Sequence, residues 1–326
     1  MKTPRRRIVI REVFRLMTGL IWIGCALPAF AGSSPDAART IAIIQPRNVA
    51  AYQEAVEGFL RHLRVALPER FNTVIYETPE SLYRALEAET SDASANSRIA
   101  LIVTLGNSAS NDVAKNIRDI PVVFSMVLEP ENRPDPPANV VGASLNIPIE
   151  LQFEMIASLL PSAKTVGIIY DPQKNAAVAQ KHAEAAEASG MRIKAFPVTS
   201  PRDVPNALAR IGKQADVLLG VVDETVYTSQ SAGAIIRYTL KQQLPFIGIS
   251  SNYVKAGALC ALFFDHQDIG RQTAELAAQI LSGTPVSALK TTVPEKIHYA
   301  INARTAKIIG VTIPKPMLDH ASIVYE

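Results

Sequence analysis

The tetrapeptide Gly106-Asn107-Ser108-Ala109 closes an apolar run and opens a stretch with Ala109, Val113, Ala114 and Ile117 at helical spacing. A helix that starts there presents free backbone N–H groups and the positive end of its dipole, which together attract an anionic group such as a carboxylate. Ser108 can add a hydroxyl, and Gly106 lets a ligand approach the backbone closely. The plainer alternative is that Asn107 or Ser108 caps its own helix. Other candidates follow apolar runs in the same way. Gln45 leads into Pro46-Arg47-Asn48, where Arg47 either pairs with an acidic ligand or lies on the surface. Ser125 precedes Met126, a side chain suited to a pliable cleft wall or to core.

The later half offers Tyr170, Asp171, Asn175, Asp223, Glu224 and Ser250. A carboxylate in a cleft can hold a ligand ammonium through charge-assisted hydrogen bonds. Asp223 is the stronger candidate, because it ends a wholly apolar run and leads into Glu224 and Thr225. Asp171 reads equally as a turn or helix-cap aspartate. Asp265 ends another apolar run and either touches ligand or holds a hinge. Asn146 closes a candidate crossing at 140–146. Tyr170 and Tyr227 can stack on an aromatic ligand or simply pack.

Catalytic chemistry finds little support. The five histidines, His62, His182, His266, His298 and His320, form no pair at metal-ligand spacing. His62 and His182 lie among charged residues of expected helices, which favours solvent exposure. There is no G-x-S-x-G elbow, Walker loop or G-x-G-x-x-G. No catalytic residue, metal site or cofactor is expected.

The elements that must position these residues alternate. Apolar runs at 41–45, 72–77, 101–105 and 121–127 are separated by helical patterns near 56–67, 81–90 and 109–117. A proline-rich connection at 129–139 follows. A second series has strands at 166–170, 192–198, 217–222, 246–249 and 258–265, with helices at 149–160, 176–189, 204–213, 229–243 and 269–281. Gly190 is placed to cap the helix before it. A strand at 296–302 and a short helix at 303–308 complete the pattern. Continuous apolar strands alternating with helices predict an α/β fold with parallel, helix-covered sheets. Ligands bind such sheets beyond the carboxyl ends of the strands, which is where the candidates lie. The halves also echo one another, as in IAIIQPRNVAAYQEAV against VGIIYDPQKNAAVAQKH.

The first 31 residues differ in kind. A basic start is followed by an apolar run over 16–30 and by Ala29-Phe30-Ala31, the three parts of a secretory signal. The run is short of the roughly 20 residues of a spanning helix. Processing as a lipoprotein at Cys25 is a minor alternative. This segment holds six of the 33 basic residues and one of the 30 acidic ones, so the remainder carries 27 against 29, a net of −2. No nucleic-acid footprint remains. Cys260 is then the one cysteine left, within the apolar GALCALFF, and reads as a core residue.

Four stretches carry a resemblance in order and spacing over 40–314: LIVTLGNSASNDVAKNIRDIPVVFSMVLEP, LLPSAKTVGIIYDPQKNAAVA, YVKAGALCALFFDHQDIGRQTAELAAQILSG and IHYAINARTAKIIGVTIP. They resemble the ABC-transporter substrate-binding family that includes tryptophan- and tyrosine-type binders. The resemblance implies a type I periplasmic-binding fold with two Rossmann-like lobes, three hinge crossings and a ligand in the cleft between them. Lobe 1 would span 38–146 plus 265–292, and lobe 2 would span 147–264 plus 293–326. It implies a periplasmic protein that captures an amino acid or a related amine or carboxylate for an importer, with an ABC permease and ATPase as partners. It places ligand contacts at the 106–109 loop, often with Thr where Asn107 stands. The rivals are a sensory or accessory binding protein, a hydrolase on the same type of fold, and a transcriptional regulator.

Overall fold

The computed structural model describes residues 39–67, 71–91, 99–128 and 137–326. The expected signal segment at 1–31, with Cys25, lies outside the described residues, as does most of the connection at 129–139.

Two sheets carry the fold. The first contains β1 (Arg39–Ile44), β2 (Phe71–Tyr76), β3 (Ile99–Leu105), β4 (Val122–Val127) and β5 (Val140–Ser144), all parallel, in the order β2-β1-β3-β4-β5. Between these strands run α1 (Ala50–Ala66), α2 (Pro79–Ser91) and α3 (Asn107–Asn116). β3 and β4 are apolar and buried on both faces, as helix-covered parallel strands must be. β2 departs from that expectation: as the edge strand it leaves Asn72, Thr73, Val74 and Ile75 exposed.

The second sheet has the order β12-β11-β10-β9-β8-β6-β7. It is built from β6 (Thr165–Tyr170), β7 (Arg192–Pro197), β8 (Val217–Leu219), β9 (Phe246–Ile247), β10 (Cys260–Phe264), β11 (Ile297–Asn302) and β12 (Ile323–Tyr325). Every pairing in it is parallel except β10 with β11, where the chain returns from the first lobe. Its helices are α4 (Ile149–Leu159), α5 (Pro172–Ala188), α6 (Val204–Ile211), α7 (Ser229–Lys241), α8 (Ser251–Ala256), α10 (Ala303–Ile309) and α11 (Lys315–His320). Gly190 adopts φ 72° just beyond α5, the left-handed residue that ends a helix without a Cβ penalty. No helix among the described residues is long and apolar enough to cross a membrane.

One helix belongs to the first lobe although it follows the second. α9 (His266–Leu281) packs against α1, β4 and β5. At the α1–α9 crossing a Cβ on Gly58 would run into the Gln267 carbonyl, and one on Gly270 into the Ala55 carbonyl. The two backbones therefore touch, and no larger residue fits either position.

The chain passes between the sheets three times: at 145–148, at the junction of β10 with α9, and at 293–296. The expectation that 140–146 is itself a crossing is corrected here. Val140–Ser144 pairs with β4 and is mostly buried, so the crossing starts only after it. The third crossing is fastened to the first lobe on both sides. Thr292 exchanges backbone hydrogen bonds with β5, through Ser144 N–H to the Thr292 carbonyl and Thr292 N–H to the Gly142 carbonyl, each 2.9 Å. The Arg271 guanidinium on α9 reaches Asp268 at 2.8 Å, Glu275 at 2.6 Å and Glu295 at 2.6 Å, while Lys296 meets Asp268 at 2.8 Å.

Candidate ligand cleft

The sheets' carboxyl ends face a cleft of about 1440 Å³ lined by residues of both lobes. On the first lobe its wall is α3. Ser108, Asn111, Ala114 and Lys115 all line it from neighbouring positions of one helix face, and Arg118 joins them from the extended segment just beyond the helix. On the second lobe Lys174, Asn175, Val178, Lys181 and His182 of α5 line it. The crossing at 145–148 forms the floor between them.

The start of α3 is built to leave donors available. Gly106 is its N-cap, at φ 81°, and having no side chain it cannot satisfy the first N–H groups. A Cβ at Gly106 would collide with the Tyr52 hydroxyl, so Tyr52 lies directly over this turn and joins the cleft wall. Burial pushes the Tyr52 phenol above its ordinary pKa and keeps it neutral. The Asn107 side chain is spent on the backbone. Its Nδ2 donates to the Leu128 carbonyl at 2.8 Å, and its Oδ1 accepts from Leu128 N–H at 2.9 Å. The amide thereby extends the β3–β4 pairing past the point where Met126, at φ 58°, bends β4 out of register. Ser108 is exposed on the turn that follows.

Asn175 lines the same cleft from the other lobe. Its backbone is non-helical within α5, at φ −125° and ψ 24°. Its Nδ2 donates to Asp223 Oδ2 at 2.7 Å. A carboxylate only accepts, so this bond fixes which end of the amide is nitrogen and turns the carbonyl oxygen away from Asp223.

Asp223 itself does not line the cleft. It is 3% exposed, and both oxygens are occupied: Oδ2 accepts from Asp171 N–H and Asn175, Oδ1 from Thr225 N–H and Val226 N–H. The expectation of a direct ammonium contact gives way to a buried bracket that orients Asn175. Asp171, 4% exposed, caps α5 through Gln173 N–H at 2.9 Å and accepts from the Thr225 hydroxyl at 2.7 Å. The Thr225 hydroxyl and the Gln173 N–H hold its carboxyl below the usual aspartate range.

Of the sequence candidates, Asn107, Ser108, Asn146, Asn175 and Glu224 line the cleft. Gln45, Gly106, Ala109, Ser125, Tyr170, Asp171, Asp223, Ser250 and Asp265 stand outside its lining, each for a local reason. Gln45 bonds its N–H to the Tyr76 carbonyl next to an Arg47–Glu77 ion pair, and Ala109 is core beneath α3. Ser125 is buried and accepts from the Thr273 hydroxyl of α9 at 2.8 Å. Tyr170 packs on the second lobe's core. Ser250 is the N-cap of α8, and Asp265 caps α9 through Gln267 N–H at 2.8 Å. Tyr227 stacks on Phe246 with ring centroids 6.4 Å apart, inside the second lobe.

Several lining residues were not among the candidates, notably Tyr52, Phe264 and His182. Tyr52 lies in the first turn after the β1 loop, a place the strand-end rule selects. Phe264 is the last residue of β10, adjacent to Asp265. His182 corrects the expectation of solvent exposure: it is 4% exposed, edge-on to Phe153 with centroids 6.4 Å apart, and bonded through Nδ1 to the Val178 carbonyl at 2.7 Å. Burial holds its pKa below the ordinary histidine value. Among the described residues no cluster of His, Cys, Asp and Glu could hold a metal ion.

Known proteins share this architecture. A tyrosine-binding protein of Clostridioides difficile (strain R20291) is 23% identical over 219 residues, which is 65% of this chain and 63% of that protein. The chain thus matches somewhat less than two thirds of that relative's length. A ligand-free, open structure of a substrate-binding protein with adhesive properties from Clostridium difficile superposes with a TM-score of 0.73 at 21% identity, covering 88% of this chain and 99% of that one. An ABC domain from Streptococcus pneumonia in complex with L-Trp gives a TM-score of 0.62 at 20% identity, with the same two coverages. These likenesses show a two-lobed α/β fold of the type I periplasmic-binding kind. The family model for ABC transporter substrate binding proteins matches residues 40–325, nearly all that is described, and the chain belongs to that family.

Proposed function

We propose that this chain captures an aromatic amino acid between its lobes and delivers it to an ABC permease and ATPase for import. One observation carries the reading: the uncapped first turn of α3 and the oriented amide of Asn175 look into a single cleft from opposite lobes. The first offers N–H donors to a carboxylate, and the second offers a carbonyl oxygen to an ammonium. Tyr52 and Phe264 supply aromatic walls for a ring. The tyrosine-binding relative and the tryptophan-bound structure support that choice of side chain.

Capture works by closure of the lobes over the ligand, which presents a different outer surface to a permease. The lobes are 38–146 with 265–292, and 147–264 with 293–326, a division supported by the packing of α9 on α1. The basic, apolar and small-residue segments of 1–31 direct the chain to the periplasm. Binding and release are the whole activity, with no chemistry on the ligand.

Calorimetry with the twenty amino acids tests this. Tyrosine or tryptophan should bind saturably, and Asn175→Ala should weaken that binding at least tenfold, about 1.4 kcal/mol. Saturable binding of a sugar with no response to any amino acid would overturn the ligand class.

A further inference from the structure

The lining of the cleft is unevenly charged. Its ionisable lining comprises Lys115, Arg118, Lys174 and Lys181 against Glu150 and Glu224. His182 adds no charge to that balance, because burial keeps it neutral. The imbalance is concentrated on the first lobe: both acidic groups belong to the second, and the first lobe lines the cleft with Lys115, in the last turn of α3, and Arg118, two residues beyond its end, with no carboxylate in the lining beside them.

These cations also have a definite offset. Lys115 stands seven residues beyond Ser108 on the lining face of α3, about 10 Å along the axis at 1.5 Å per residue. Lys181 stands six residues beyond Asn175 on the lining face of α5, about 9 Å along. Each wall therefore carries a head-group residue at its first turn and a cation two turns further. Lys115 and Arg118 are both exposed.

We propose that the cleft takes an amino-acid-headed ligand whose far end, about 10 Å away, carries a second anionic group held by Lys115 and Arg118. The shared chemistry is a distal carboxylate or phosphate. A γ-glutamyl dipeptide and a phosphorylated aromatic amino acid both supply it. This rests on the amino-acid reading above and narrows it.

Two matched pairs test the idea by calorimetry on the purified protein at low salt: L-tyrosine with O-phospho-L-tyrosine, and γ-L-glutamylglycinamide with γ-L-glutamylglycine. The expected result is at least tenfold tighter binding of the anionic member in one pair, the phosphate or the carboxylate being identified by which pair responds. The preference should shrink in 300 mM salt, where screening is short-ranged. The double variant Lys115→Gln with Arg118→Gln should abolish the preference, the anionic member losing at least tenfold more affinity than its neutral partner. If the neutral member binds as tightly as the anionic one, the proposal falls and the amino-acid reading stands. A preference that survives the double variant overturns the assignment to α3; Lys115 then serves only the negative end of its helix. If no member of either pair binds while tyrosine-unrelated amino acids do, the proposal falls with the aromatic reading, and amino-acid capture remains.

Discussion

Packed against Phe153 and bonded to Val178, the His182 imidazole has lost most of its water, and that loss disfavours the charged form. Its folded-state pKa therefore lies below the unfolded value of about 6.5. Its contribution to stability is present above that value and is lost as pH falls through the folded one. The melting temperature should drop between pH 7.5 and pH 5, and His182→Phe should flatten part of that drop, as thermal denaturation across the range would read. Single residues were legible in sequence where their partners are close in the chain. The apolar run ending in Gly106 identified the start of α3 by itself. The tasks of Asn107 and Asp223 were not legible, since Asn107 pairs with Leu128, 21 positions on, and Asp223 brackets residues 48 and 52 positions earlier. A polar side chain satisfied by a remote backbone looks, in sequence, like one left for a ligand.

The alternation of strands and helices could be read directly, because parallel strands buried on both faces are continuously apolar. The misreadings fall where an element's environment is set by topology. β5 seemed a crossing because its five residues are small and few, and β2 seemed covered because its composition resembles its neighbours'. α8 and β12 were too short to register as a period. The α1–α9 crossing was invisible for a different reason: Gly58 and Gly270 are more than two hundred residues apart, and a glycine inside a helical pattern reads as a weakness. Here each removes a Cβ that would strike backbone. Gly58→Ala or Gly270→Ala should each destabilise the protein by about 1–3 kcal/mol, the range for overpacking, in urea unfolding followed by circular dichroism. Surface alanine substitution elsewhere on α1 should have little effect.

At the scale of the molecule, the three crossings are unequal. The third is pinned to the first lobe by Thr292 and by the Arg271 cluster as far as Lys296, the residue before β11, so flexing must fall on 145–148 and the Phe264–Asp265 junction. Closure around a ligand should reduce the radius of gyration in small-angle scattering when tyrosine or tryptophan is added at saturation. An unchanged radius with binding intact would mean that the lobes do not move. The placement of α9 bears on how the chain is made. The first lobe's sheet is encoded before residue 145, yet the helix that seals it ends at Leu281, after most of the second lobe. A nascent chain emerging from its amino end cannot bury α1 until nearly all of its length has been synthesised. Neither lobe then completes early: the first waits for α9, and the second for the strands β11 and β12 that follow it.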